Sequence, residues 1–320
     1  MPIEEMLQGG MLISIGNLKY QFFQAIEKGF VPGRSKHSDV RKNEHYFVYS
    51  YADRNALRDT ASDFSKYMKD QGVKKLIDIT PDDVSKFLAS KEGTVSSRTL
   101  KTYQSRLTKL GRLATEYCHR NLDYHGEIPK HTTPKSKDDK IRTLAMKNED
   151  FDKVMGKIRP NSQANISLRL ARSFGLRVSE INHIRVKDVD IRHGTLNIYK
   201  SKGGRTRTLY CYTRKQIDLL IELDQIGRDK DLKKNDRIIT IKSDSINKAL
   251  SRALDAIYGK DKNPYRKCKT GIHSLRKAYA TERYYRLRLH ESHQEAWLTV
   301  CKELGHSSLR EDLFDTYVVR

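Results

Sequence analysis

The chain has 320 residues, enough for two ordinary domains. Its 62 lysines and arginines against 40 acids leave a formal net charge of +22, an excess that a compact surface shares most readily with nucleic acid and next with an acidic membrane surface, the plain alternative being solvated charge. Cys118, Cys211, Cys268 and Cys301 form no C-x-x-C pair, no apolar run reaches membrane-spanning length, and Glu4 and Glu5 stand where a signal peptide needs positive charge, so zinc fingers, membrane spans and secretion are not expected and a reducing, cytoplasmic setting is.

The first elements along the chain are helical. A stretch around 17–28 has helical character, whether as part of a first domain or as a separate arm. Residues 80–89, TPDDVSKFLA, open with Thr80 as N-cap, Pro81 at the first helical position and acids in the first turn. Val84, Phe87 and Leu88 then share one face. Over 97–117, Leu100, Tyr103, Leu107, Leu110, Ala114 and Tyr117 recur at spacings of three and four, which predicts an amphipathic helix. Arg98, Lys101, Arg106 and Lys109 lie off that stripe, on a solvated face or on one that meets DNA. Residues 126–142, GEIPKHTTPKSKDDKIR, hold two of the seven prolines and few apolar side chains, the composition of an exposed linker. This divides the chain into a helical domain (1–125), a linker (126–142) and a second domain (143–320).

The second domain mixes helices with a hairpin. A helix over about 163–174 stops at Gly175. Arg177 then opens a further helix, VSEINHI, with Glu180 placed to orient its guanidinium or to cap the helix. Leu196 and Ile198 alternate with Asn197 and Tyr199, Gly203-Gly204 can supply a two-residue turn, and Arg205 to Tyr212 is the return strand. That hairpin presents Lys202 beside the turn, with Lys200 two residues earlier. His273 and Arg276, three apart, share a helix face. Leu304-Gly305-His306 reads as a helix end followed by an imidazole. Ser308 and Glu311 have capping-box spacing for a last helix, which Leu313, Phe314 and Val318 can anchor and which carries Tyr317.

Taken singly, each of these residues has a plainer reading: a surface ion pair, a solvated hairpin tip, a structural histidine or a packing tyrosine. Together Arg177, Lys202, His273, Arg276, His306 and Tyr317 supply what phosphoryl transfer without a metal requires. Guanidiniums can hold non-bridging oxygens, a lysine can protonate a leaving oxygen, an imidazole can take a proton and a phenol can attack phosphorus.

GLRVSE at 175–180, KSKGGRTR at 200–207, HSLR at 273–276, LGH at 304–306 and DTYV at 315–318 resemble, in order and wording, the boxes of the tyrosine recombinases, the family of phage and mobile-element integrases. The resemblance is weak at first and strong from about residue 165. It implies an α-helical core-binding domain followed by a mixed α+β catalytic domain, mainly helical with a small antiparallel sheet. It implies site-specific cutting and rejoining of DNA through a 3′-phosphotyrosyl bond, serving integration or excision of a mobile element. Tyr317 is then the nucleophile, with Arg177, Lys202, His273, Arg276 and His306 as the other catalytic residues and Glu180 in support. Arg98, Lys101, Arg106, Lys109, Arg205, Arg207, Lys269 and Lys277 become expected DNA contacts. No metal or other cofactor is expected. The implied partners are double-stranded DNA, three further copies in a homotetramer on synapsed DNA (a monomer in solution), and accessory DNA-bending or directionality factors, with no membrane; a bacterial or phage-encoded protein of the cytoplasm is implied. Two departures stand out. Tyr317 lies eleven residues after His306, longer than the family's usual spacing, and only three residues follow it. A type IB topoisomerase shares this chemistry, though the helical first domain and LGHSS favour recombination. A catalytically silent DNA-binding protein has no use for all six polar positions.

Overall fold

The computed structural model describes residues 18–33, 47–118, 144–199, 206–268, 270–306 and 308–319. It divides into two compact units, 1–139 and 140–320. The linker expected at 126–142 lies outside the described residues, as do Lys200, Lys202, Arg205 and Lys269.

The first unit is a helical cluster of α1 (Leu18–Lys28), α2 (Tyr51–Asp70), α3 (Pro81–Ser90) and α4 (Ser97–Cys118). Helix α3 starts as its sequence dictates. Thr80 accepts from the Asp83 amide, and the Asp83 carboxylate accepts from the Thr80 amide in return. Phe22, Ile26, Phe64, Phe87, Leu107 and Leu110 are fully buried, and the Phe64 and Phe87 rings meet edge-on at 5.1 Å. Each such side chain contributes roughly 1.5–3 kcal/mol of burial free energy. Helix α1 belongs to this core and is not a separate arm: Phe22 and Ile26 pack into it, and Glu27 binds Arg54 and Arg58 of α2 at 2.7 and 2.6 Å.

The second unit sets helices around a three-stranded antiparallel sheet. Its elements are α5 (Asn148–Lys157), α6 (Gln163–Phe174), α7 (Val178–Ile181), β1 (Val189–Asp190), β2 (Thr195–Ile198), β3 (Arg207–Tyr210), α8 (Arg214–Asp229), α9 (Ser243–Tyr258), α10 (Pro264–Lys267), α11 (His273–Leu287), α12 (His293–Glu303) and α13 (Phe314–Tyr317). Strand β2 lies between β1 and β3, with Leu196 opposite Leu209 and Ile198 opposite Arg207. Leu196, Ile198 and Leu209 point into a core shared with α6, α8, α9 and the start of α11. A second core joins α11, α12 and α13 around Trp297, whose indole donates to the Arg310 carbonyl at 3.0 Å.

Several local expectations change. The helix opened by Arg177 is one turn, not the full VSEINHI, because the chain then runs through Ile184 and Arg185 into backbone pairing with 237–238. The return strand ends at Tyr210. Beyond it the Tyr212 and Thr213 amides donate to Gln216, as Thr213 caps α8. Strand β1, with only two residues, left no periodic signal to read. Ser308 and Glu311 form no capping box. Glu311 begins a 3-10 turn (Glu311–Leu313) and turns its carboxylate to His293, 3.4 Å away. That turn lies in the interval between His306 and Tyr317 and leads directly into α13.

Candidate active site

Helix α6 ends at Gly175, whose φ of +62° is the left-handed conformation glycine adopts at least cost. A Cβ there would lie 2.4 Å from Cδ1 of Tyr279, so the Tyr279 ring of helix α11 packs directly on this turn. The close crossing lets Arg276 of α11 reach under the turn. Its Nη1 donates to the Gly175 carbonyl at 2.5 Å and its Nη2 to the Leu304 carbonyl at 2.6 Å. Arg276 is fully buried, while among the described residues its Nε has no partner. Burial pushes its pKa down to about 10, with Arg177 adding to the effect and Tyr317 and Glu180 opposing it; the guanidinium remains charged at neutral pH.

Arg177 is the N-cap residue of α7. The Glu180 carboxylate accepts from its amide at 2.9 Å and from its Nη1 at 2.8 Å, so a single turn fixes both backbone and guanidinium. His306 follows the end of α12 through Gly305, and its ring lies 5.8 Å from that of Tyr317 at 63°. The Tyr317 ring lies 5.4 Å from the Arg276 guanidinium carbon. Helix α13 is tied to α11 through Thr281, whose hydroxyl donates to the Tyr317 carbonyl at 3.2 Å and accepts from the Val319 amide at 3.0 Å. His273 begins α11 one turn before Arg276 and is half-buried.

Arg177, Arg276, His306 and Tyr317 thus come from four separate stretches to one place. Two guanidiniums, an imidazole and a phenol around a buried, unpartnered N–H make an anion site with a potential nucleophile at its edge. Lys202 lies outside the described residues.

The expected DNA contacts fall into three groups. Arg98 and Lys101 are exposed on α4 and Arg106 is half-buried there. Lys101 and Lys109 line an open groove with Gln104, Ser105, Thr108 and Arg112, and Lys109 is held by Asp53 at 2.7 Å. Lys277 faces inward at 5% exposure, because it follows Arg276 on the buried side of α11. Arg207 also faces inward and binds Glu180. Arg205 and Lys269 are outside the described residues.

Sequence reasoning did not single out Thr281, the Gly175 and Leu304 carbonyls, or Glu303. Glu303 accepts from Tyr279 at 2.7 Å and pairs with Arg283 at 3.0 Å, and Arg283 lies over the Tyr212 ring at 3.6 Å. Backbone carbonyls leave no mark in residue identity, and no spacing rule links 281 to 317 or 303 to 279.

Residues 145–310 match a family described as the phage integrase family. A search of curated proteins by sequence finds no match. Among solved structures the chain is similar to XerH site-specific recombinase bound to a palindromic difH substrate in a post-cleavage complex, with 18% identity over 93% of this chain and 91% of that one and a TM-score of 0.61. It is similar to a portion of lambda integrase bound to DNA, with 14% identity over 94% and 96% and a TM-score of 0.60. A lambda integrase tetramer bound to a Holliday junction is similar at 15% identity over 96% and 85%, with a TM-score of 0.59. At these identities the likeness speaks to the fold.

Proposed function

The chain belongs to the phage integrase family of site-specific recombinases, and on that premise we propose that it cuts and rejoins DNA with Tyr317 as nucleophile. The Tyr317 phenolate oxygen bonds to a backbone phosphorus and the bond from phosphorus to the 5′ oxygen breaks, leaving a 3′-phosphotyrosyl link. The phenol proton passes to His273, since a free phenol with a pKa of about 10 needs an acceptor. Lys202 donates a proton to the departing 5′ oxygen. Arg177, Arg276 and His306 hold the charge that grows on the non-bridging oxygens. Rejoining reverses these steps, and the covalent link conserves the energy of the phosphodiester.

The observation that carries this reading is Arg276: buried, charged, with an unpartnered Nε beneath the Tyr317 ring. Leaving a buried N–H without an acceptor costs about 1–3 kcal/mol, a penalty that a phosphate oxygen at this spot removes. Double-stranded DNA is the substrate, four copies act on two paired duplexes, and the setting is the cytoplasm of a bacterium, with a mobile element as the source of the sites. The net charge of +22 and the two DNA-bound relatives support the first of these; the tetrameric relative supports the second. The test is a duplex nicked just beyond the scissile phosphate, from which the short 5′ fragment diffuses away. A protein–DNA adduct on Tyr317 is expected. Its absence across a panel of candidate sites recovered from DNA bound in cells would falsify the reading. Exchange of arms between two duplexes then separates recombination from strand relaxation.

A further inference from the structure

Strand β3 begins with an arginine whose donors all turn inward. Arg207 lies opposite Ile198, and its side chain is 9% exposed. Its Nε donates to the Glu303 carbonyl at 2.8 Å. Its terminal nitrogens fork onto Glu180, Nη1 to Oε1 at 3.1 Å and Nη2 to Oε2 at 2.9 Å. Glu180 is the carboxylate that holds Arg177. Glu303 closes α12, three residues before His306, and the neighbouring Leu304 carbonyl accepts from Arg276. One guanidinium therefore spans the turn that aims Arg177 and the loop that carries His306.

The fit is close. Gly305 has φ of +79°, and a Cβ on it would lie 2.9 Å from Arg207 Nη1 and 3.6 Å from Arg177 Nη1. The loop backbone is thus in contact range of both guanidiniums. A planar guanidinium serves two carboxylate oxygens and a carbonyl from three separate nitrogens, a span that the single nitrogen of an ammonium does not cover.

We infer that Arg207 is a positioning residue for DNA cleavage, fixing Arg177 through Glu180 and the His306 loop through the Glu303 carbonyl. The inference rests on the roles proposed above for Arg177, His306 and Tyr317. A direct contact of Arg207 with the DNA backbone would require these three inward bonds to break.

The experiment uses the full chain and the nicked duplex. Wild type, Arg207→Ala, Arg207→Lys, Glu180→Gln and the double Arg207→Ala/Glu180→Gln are compared for affinity, salt slope and rate of adduct formation, with thermal melting as a check on folding. Arg207→Ala keeps the salt slope, because no phosphate contact is lost. Its cleavage slows about 10²-fold, the scale of an ångström-level misplacement. Arg207→Lys does not restore the rate, because it returns the charge without the fork. The double variant is slower by less than the product of the two single losses, since the two residues share the link through Glu180. Wild-type cleavage by Arg207→Ala, or a salt slope reduced by about one at an unchanged saturated rate, overturns the inference. Should Arg207→Ala fail to fold, a wild-type rate in Arg207→Lys overturns it equally. A wild-type protein that forms no adduct defeats the recombinase reading itself, an outcome distinct from either.

Discussion

At the scale of single residues, the site separates groups that react from groups that hold. Tyr317 is only half-buried, so Tyr317→Phe keeps the ring against His306 and removes the oxygen proposed to attack. The adduct disappears while DNA affinity, read by a gel-shift titration, stays near that of wild type; a persisting adduct would move the nucleophile elsewhere, with Tyr284 and Tyr285 the next tyrosines to test. Arg177→Ala and Arg276→Ala each slow cleavage by at least about 10²-fold, the scale for losing one preorganised charge stabiliser. They differ in stability. Arg276 also serves the buried Gly175 and Leu304 carbonyls, and its removal strands both at about 1–3 kcal/mol each. Arg276→Ala therefore melts at lower temperature than Arg177→Ala. Equal melting of the two would show that those carbonyls find other donors.

At the scale of elements, turns and caps set the geometry. Gly175→Ala meets Tyr279 at 2.4 Å in a left-handed turn whose carbonyl accepts from Arg276. It should lose about 1–3 kcal/mol of stability and cleave slowly. Thr80→Ala, in the other unit, should lose about 1 kcal/mol as a lost N-cap and cleave DNA normally once folded. A normal rate for the first variant in a denaturation-controlled assay would detach the α6–α11 crossing from the chemistry. The hairpin makes its own prediction. If Lys202 protonates the leaving oxygen, Lys202→Ala is slow on ordinary DNA and recovers on a substrate with 5′-bridging sulfur, because a thiolate leaves without a proton. Arg276→Ala gains nothing from sulfur, and Lys200→Ala behaves as wild type. Rescue of Lys200→Ala instead would shift the assignment by two residues.

For the whole molecule, charge governs binding. With a net charge of +22, affinity for DNA should fall with salt at a log–log slope of roughly −5 or steeper, the response of several neutralised phosphates. The slope should be smaller than a count of basic residues implies. Lys109 is paired with Asp53, Arg283 with Glu303 and Arg266 with Asp255, and Lys277 is buried, so these charges have internal roles. A flat salt response in filter binding would remove the electrostatic argument.

What the sequence determined by itself was local or shared with a family. Thr80 and Pro81 start α3, the three-and-four spacing from Leu100 to Ala114 buries one side of α4, and Gly175 stops α6, because caps, periodicity and left-handed backbone are written in adjacent residues. The boxes around Arg177, Arg276, His306 and Tyr317 named candidates through their resemblance to a family's short local runs, and the fold brings these four side chains near one another. The tertiary structure decided which charges face inward. Nothing in KSKGGRTR separates an arginine for solvent from Arg207 folded onto Glu180, and nothing in HSLRK separates a surface lysine from Lys277. The difference lies in what packs opposite, 27 residues away in sequence for Glu180 and 96 for Glu303. Ser308 and Glu311 teach the converse: a capping pattern failed because 308–310 are not helical and the turn starts only at Glu311, whose carboxylate faces His293 of α12. Short-range hydrogen bonds can be read along a chain, but the desolvation and pairing of a charge depend on neighbours that only the folded core brings together.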